Sequence, residues 1–150
     1  YTKVCSSFPV TESHGVTGHS MGGHGALTLA MRNPAHYQSV SAFAPITHPS
    51  RSDWGTKQLT AYLGEDTSSW AGHDACALLK AKGWSRDILV DQGGDDPFLE
   101  YLLPQDLVDS AAGADVPLTF RQHPGYNHSY HFVATFAEDH VAWHAARLRR

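Results

Sequence analysis

The segment GHSMGGHG, residues 18–25, limits the local fold more than any other part of the chain. It places Ser20 between Gly18 and Gly22 in the pattern G-x-S-x-G, with Gly23 and Gly25 following. Glycine is unfavourable inside regular strands and helices, so this density indicates a sharp turn or a close backbone approach. A serine on a tight strand-to-helix turn carries its hydroxyl exposed above the sheet.

The glycines around Ser20 form two pairs with different expected roles. We expect Gly18 and Gly22 to be required because side chains there would collide with neighbouring backbone. Gly23 and Gly25 would let the following helix pack close to the sheet. The pattern alone arises by chance in glycine-rich turns, so the elements on either side of it decide its meaning.

Strand-like and helix-like segments alternate along the rest of the chain. Strands are predicted at residues 14–18, 37–46, 85–96 and 116–125, and helices at 23–32, 100–113 with Gly113 as its stop, and from 130 onward. Residues 45–75 are less regular and predict a long excursion with short helices. The last helix is predicted to turn one apolar face to the core: Val133, Phe136, Ala137, Val141 and Trp143. Strands separated by helices predict an α/β fold with a mostly parallel sheet.

Composition narrows the class of protein. The 150 residues suit a single domain, and 41% apolar with 17% charged residues is typical of globular proteins. A formal net charge of −4 gives no electrostatic basis for binding nucleic acid or an anionic membrane. No apolar run could span a bilayer, and the N-terminus does not resemble a signal peptide. Cys5 and Cys76 form no CxxC pair, which favours a reduced, cytoplasmic setting and leaves a disulfide open.

Reactive side chains follow three of the predicted strands. Ser20 follows the first, the pair Asp95-Asp96 follows the third, and His128 lies in the loop after the fourth. In parallel sheets, function gathers at the carboxyl ends of the strands. The chain order serine, acid, histidine is that of the α/β-hydrolase triad, and spacing alone does not choose between Asp95 and Asp96.

Two further histidines compete with His128 as the general base. His123 falls within the predicted fourth strand and His131 should already be helical, so the position of His128 in a turn between Asn127 and Ser129 favours His128. The pairs His19/His24 and His128/His131 also raise the alternative of a metal site. Neither pair has the spacing of an HExxH helix or of a cysteine–histidine zinc site, so we expect no metal.

Five segments resemble the S-formylglutathione hydrolases, the esterase D family of the α/β-hydrolases: GHSMGGHGAL, SVSAFAPI, WGTKQLTAYLGED, LVDQGGDDPFL and PGYNHSYHFVATFAEDH. The resemblance runs from about residue 18 to the C-terminus. It implies that Ser20 is the nucleophile, Asp96 the acid and His128 the base, with the Met21 N–H in the oxyanion hole. The family usually carries aspartate where this chain has Asn127, a position outside the triad.

The resemblance also implies a substrate and a mechanism. The family hydrolyses S-formylglutathione to glutathione and formate in formaldehyde detoxification, with no metal or organic cofactor. In addition, we expect Trp54 and Lys57 to lie near the acyl pocket or the glutathione site, although the segment DWGTKQ could equally just begin a short helix. A general short-chain carboxylesterase is an alternative activity, and a homodimer is left open.

Family members are longer than this chain. The resemblance therefore implies that residues 1–150 are a partial α/β-hydrolase domain, the C-terminal portion, which lacks the N-terminal strands. The absent part should supply the second oxyanion donor. The four strands should lie side by side in chain order, with the serine strand at an edge. A non-catalytic fragment is accordingly a third hypothesis.

Overall fold

The computed structural model describes residues 6–82 and 84–149, without the side chain of Lys82. Its strands are β1 (His14–Val16), β2 (Tyr37–Phe43), β3 (Ile88–Gly93) and β4 (Leu118–His123). Its α-helices are α1 (Met21–Arg32), α2 (Asp53–Leu63), α3 (Ala75–Lys82), α4 (Leu99–Leu102), α5 (Pro104–Gly113) and α6 (Tyr130–Leu148). Two 3-10 helices, Pro49–Arg51 and Thr67–His73, flank α2 in the predicted excursion. Cys5 lies outside the described residues.

The four described strands form one parallel sheet in the order β1-β2-β3-β4. Val40 of β2 pairs with Ile88 of β3, which pairs in turn with Leu118 of β4. The predicted α/β class, the parallel pairing and the side-by-side strand order are therefore confirmed. Within the described sheet, β1 is an edge strand, as expected.

The main core lies where α1, α3 and α5 pack on one face of the sheet. Strand β3 is buried along its whole length, which suits a central strand covered on both faces. Helix α1 contributes a stripe of small and apolar side chains: Ala26, Leu27, Ala30 and Met31. A smaller apolar cluster lies near the carboxyl ends of the strands and includes Phe43, Leu102 and Phe132. This second cluster supports the loops that carry the candidate site.

Two helical predictions need correction. The single helix expected over residues 100–113 is divided, because Pro104 begins a new helix and Leu103 takes a left-handed conformation with φ +53°. Gly113 is the last helical residue, and the cap is Ala114. In α6 the predicted apolar face is only partly correct: Val133 and Phe136 pack against the second apolar cluster, but Val141 is 68% exposed, and the fully buried residues are Phe132 and His140.

Among the described residues, none of the helices combines the length and the apolar character needed to cross a bilayer.

Candidate active site

Ser20 occupies a strained turn between β1 and α1. Its backbone angles are φ +58° and ψ −117°, a left-handed conformation that costs a residue with a side chain roughly 1–3 kcal/mol. Ser20 N donates a 2.9 Å hydrogen bond to Phe43 O, and Phe43 N donates one of 2.9 Å to Gly18 O. Phe43, the last residue of β2, therefore holds the turn on both sides of His19, directly before the serine. Ser20 is also the N-cap of α1, but its hydroxyl makes no capping bond and is left available.

The glycines of this turn do not all serve the expected purpose. A Cβ on Gly18 would overlap the carbonyl of Gly22 and approach Gly23 N at 2.9 Å, so the expectation for Gly18 agrees with the structure. The expectation for Gly22 is wrong, because a Cβ there meets nothing within 4 Å among the described residues. Gly23 approaches Pro45 in the loop after β2, whereas a Cβ on Gly25 is also unopposed.

Asp96 lies in the loop after β3 and is only 4% exposed. Its carboxylate accepts hydrogen bonds from Gln92 Nε2 at 2.9 Å, Phe98 N at 2.9 Å and His128 Nδ1 at 2.6 Å. Burial would raise the pKa of Asp96, but the hydrogen bonds from His128, Phe98 and Gln92 outweigh it and hold the pKa below its ordinary value. Its neighbour Asp95 is exposed, so the geometry distinguishes two aspartates that spacing could not.

His128 lies in the loop between β4 and α6, with its side chain 14% exposed. The ring is fixed from two directions. Asp96 binds Nδ1, and the Phe98 ring meets the imidazole edge-on with centroids 5.1 Å apart. The competing histidines face elsewhere: His123 stacks on Phe136 at 3.8 Å, and His131 stacks on Tyr126 at 5.8 Å.

Ser20 and His128 come together through His19, the residue before the serine. The centroids of the His19 and His128 rings are 4.5 Å apart. The loop between β4 and α6, which carries His128, therefore lies directly beside the turn that carries Ser20. Ser20 Oγ makes no hydrogen bond to His128 in the described part of the chain. Such a contact is often loose without substrate and tightens in the complex. The structure therefore joins Asp96 to His128 directly and brings Ser20 next to them.

Met21 begins α1 immediately after Ser20. Its N–H is one of the first-turn donors that have no acceptor within the helix, and the helix dipole adds positive potential there. Next to it, a largely apolar cavity of about 280 Å³ lies between α1 and α2, lined by Met21, His24, Ile46, Leu59 and Tyr62 among others.

Trp54 and Lys57 both lie on α2. Trp54 stacks face to face on Tyr101, with centroids 4.4 Å apart, and its ring is 5.2 Å from Phe98. Because Phe98 contacts both rings, Trp54 is separated from His128 by one aromatic side chain. Lys57 is exposed and does not line the cavity beside Met21.

Sequence reasoning missed three residues that shape the site: His19, Gln92 and Phe98. Gln92 carried a usable signal, because an amide inside the buried strand ILVDQG needs a polar partner. The positions of His19 and Phe98 depend on how separate loops meet, which no local pattern encodes. Among residues 6–82 and 84–149, no three His, Cys, Asp or Glu side chains converge closely enough to hold a metal ion.

A parallel sheet with a serine on a strained strand-to-helix turn, and an aspartate and a histidine beyond later strands, defines the α/β-hydrolase class. The chain belongs to the esterase family: the family model described as "Putative esterase" matches residues 3–146.

Three similar proteins carry the same name. The S-formylglutathione hydrolase of Paracoccus denitrificans (strain Pd 1222) is 54% identical over 146 residues, which cover 97% of this chain and 52% of that protein. The S-formylglutathione hydrolase of Mus musculus is 48% identical over 149 residues, covering 97% and 53%. The structure of an S-formylglutathione hydrolase from Agrobacterium tumefaciens superposes with a TM-score of 0.93 at 44% identity, covering 98% of this chain and 54% of that one. The chain therefore spans about half the length of the relatives it matches.

Proposed function

We propose that Ser20, His128 and Asp96 form a catalytic triad for acyl transfer. The observation that carries the proposal is the 2.6 Å hydrogen bond from His128 Nδ1 to buried Asp96, formed beside the strained turn of Ser20. In this scheme His128 Nε2 takes the proton of Ser20 as Oγ attacks the acyl carbon. Asp96 holds the ring in the required tautomer and stabilises the imidazolium. The Met21 N–H donates to the oxyanion.

The substrate we propose is S-formylglutathione, on the basis of the relatives' names and the identity of about half with each. Attack by Ser20 Oγ gives a formyl-serine, and as the C–S bond breaks the departing glutathione sulfur takes up the proton held by His128, which returns His128 to its neutral form. The thiolate is a good leaving group because its conjugate thiol is far more acidic than an alcohol. Water activated by His128 then releases formate and restores the Ser20 hydroxyl. This reaction would serve formaldehyde detoxification, and we propose a cytoplasmic location for it.

The apolar cavity of about 280 Å³ beside Met21 favours a second candidate, a carboxylesterase for small acyl esters. A formyl group would not fill a space of that size, whereas a short acyl chain would gain from burial there. The two candidates share the triad and differ only in the group that is recognised.

Parallel rate measurements on S-formylglutathione and a short-chain aryl ester test the proposal. We expect kcat/KM to favour the thioester, and Ser20→Ala to abolish both rates. A clear preference for the aryl ester would support the carboxylesterase instead. If one oxyanion donor comes from outside this chain, both rates fall by about 100- to 1000-fold, and the preference between substrates still holds.

Trp54 and Lys57 remain candidates for substrate recognition. Trp54 supports the idea through its contact with Phe98, which touches His128. Truncating Trp54 to alanine should raise KM for the glutathione thioester more than for a small ester. Equal changes for both substrates would instead assign the tryptophan to packing against Tyr101.

A further inference from the structure

His19 lies where the turn that carries Ser20 meets the loop that carries His128. Its ring centroid is 4.5 Å from that of His128, at an interplanar angle of 40°, and 5.5 Å from that of Tyr130. The His19 backbone is fixed on the other side, because it bridges to Phe43 of β2 and its carbonyl accepts a 2.8 Å bond from Gly22 N. The His19 ring, carried on a backbone that is held by these bonds, therefore lies against part of the His128 imidazole.

The bonding of His19 shows that packing, rather than hydrogen bonding, fixes this ring. Its Nε2 is buried and has no hydrogen-bond partner among the described residues. His128, by contrast, is bonded through Nδ1 to Asp96, and that bond alone would allow the imidazole to rotate about it. Contacts on the faces and edges of the ring must supply the remaining constraint. Phe98 provides one such contact and His19 provides another.

Charge at this junction favours a neutral His19. The titratable groups that face it are His128 and Tyr130 at the start of α6, and Asp96 after β3. Burial and the neighbouring His128 lower the pKa of His19, and Asp96 only partly opposes them. A neutral ring does not repel the positive charge that His128 would acquire when it accepts a proton.

We propose that His19 is a positioning residue, whose ring holds the His128 imidazole in the orientation that points Nε2 at the Ser20 hydroxyl. This proposal rests on the proposed triad, and it adds what holds the His128 imidazole in its orientation. A displaced base loses alignment with the nucleophile, and errors of about 1 Å cost roughly a hundredfold in rate.

Two substitutions separate ring packing from the other properties of His19. His19→Phe keeps an aromatic ring without nitrogen atoms, and His19→Ala removes the ring. His131→Ala is the matched control, because His131 stacks on Tyr126 and makes no ring contact with His128. The side-chain NMR resonances of His128, assigned by their loss in His128→Asn, report on its ring without any turnover. The rate of Ser20 phosphonylation by a fluorophosphonate is the second readout.

We expect His19→Ala to shift and broaden the His128 resonances and to slow phosphonylation by about tenfold or more. His19→Phe should restore sharp resonances and a rate within about threefold of the unmodified chain. Far-UV circular dichroism establishes that each variant is folded, and His19→Leu replaces the alanine variant if the latter unfolds.

Unchanged His128 resonances in His19→Ala would overturn the proposal. It would also be overturned if His19→Phe showed the same resonances and the same phosphonylation rate as His19→Ala. Failure of the unmodified chain to react with the fluorophosphonate would count against the hydrolase function. That failure is distinguishable, because the resonances of His128 test His19 by themselves.

Discussion

At the residue scale, the candidate site depends on the bond between Asp96 and His128. We predict that Asp96→Asn lowers the rate of Ser20 phosphonylation by at least about a hundredfold, because an amide favours the wrong imidazole tautomer and stabilises no positive charge. Asp95→Asn is the matched control, since Asp95 is exposed and the hydrogen bond of His128 goes to Asp96. Equal losses in the two variants would show that the carboxylate of Asp96 has no special role.

A second residue-scale prediction concerns the glycines of the serine turn. Gly18→Ala should lower the free energy of unfolding by about 2 kcal/mol or more, because its Cβ would overlap the backbone of Gly22. Gly22→Ala should be neutral or slightly stabilising, because the added methyl meets nothing within 4 Å and alanine favours the helix. Urea unfolding of both variants measures the difference. Comparable destabilisation by the two substitutions would contradict the close backbone approach at Gly18 and the open space at Gly22.

The residues of the site were only partly predictable from sequence. Ser20 and His128 follow from motif and loop position, but the choice of Asp96 over Asp95 required the family resemblance. The structure gives the physical reason for that choice, since one aspartate is buried under three donors and the other is exposed. The contact of His19 with His128 joins two loops that are more than a hundred residues apart in the chain, and local patterns hold no information on it.

At the element scale, α6 is held on the sheet by polar side chains as well as by part of the apolar face expected from its sequence, in which Val133 and Phe136 pack against the second apolar cluster. His140 stacks on Phe43 at 3.7 Å, and its Nε2 lies 3.3 Å from Asp91 of β3. His144 Nδ1 lies 2.6 Å from Ser39 Oγ, and its Nε2 lies 2.8 Å from Ser41 Oγ, both on β2. Helical periodicity finds apolar stripes, so it missed histidines whose partners come from distant strands.

This anchoring predicts a dependence of stability on pH. Burial, with the charges of His140 and Arg147, lowers the pKa of His144 to about 4. The unfolded chain takes up this proton near its ordinary pKa of 6.5, whereas the folded chain does so only near 4. The free energy of unfolding should therefore fall as the pH decreases from about 6.5 to 4.

The contribution of His144 can be isolated by substitution. His144→Asn should flatten the loss of stability between pH 6.5 and 4, whereas His131→Asn, at an exposed position, should leave it unchanged. The slope that one histidine adds cannot exceed about 1.4 kcal/mol per pH unit, and partial exposure of the ring reduces it. Urea unfolding at several pH values measures this slope. If the free energy of unfolding changed with pH equally in the unmodified chain, His144→Asn and His131→Asn, the assignment of this pH dependence to His144 would be refuted.

At the scale of the whole molecule, the described sheet ends at β1, and the chain spans about half the length of its relatives. In the described sheet β1 pairs with β2 along one side only, and an open strand edge beside a strained turn favours association and loose packing. We predict that fusion to the N-terminal half of the Paracoccus denitrificans relative raises both solubility and thioesterase rate. Light scattering and kcat/KM before and after fusion measure the effect. Monomeric behaviour and unchanged turnover of the unfused chain would contradict this prediction.

The proposed triad is tested most directly by the site at which a fluorophosphonate reacts with this chain. We predict a single adduct, located on Ser20 by intact mass and peptide mapping and absent from Ser20→Ala. The Ser20 hydroxyl makes no capping bond to α1, and in the proposed triad His128, which is bonded to Asp96, is the base that activates it. An adduct on any other residue, equal labelling of Ser20→Ala, or no adduct at all would contradict the account.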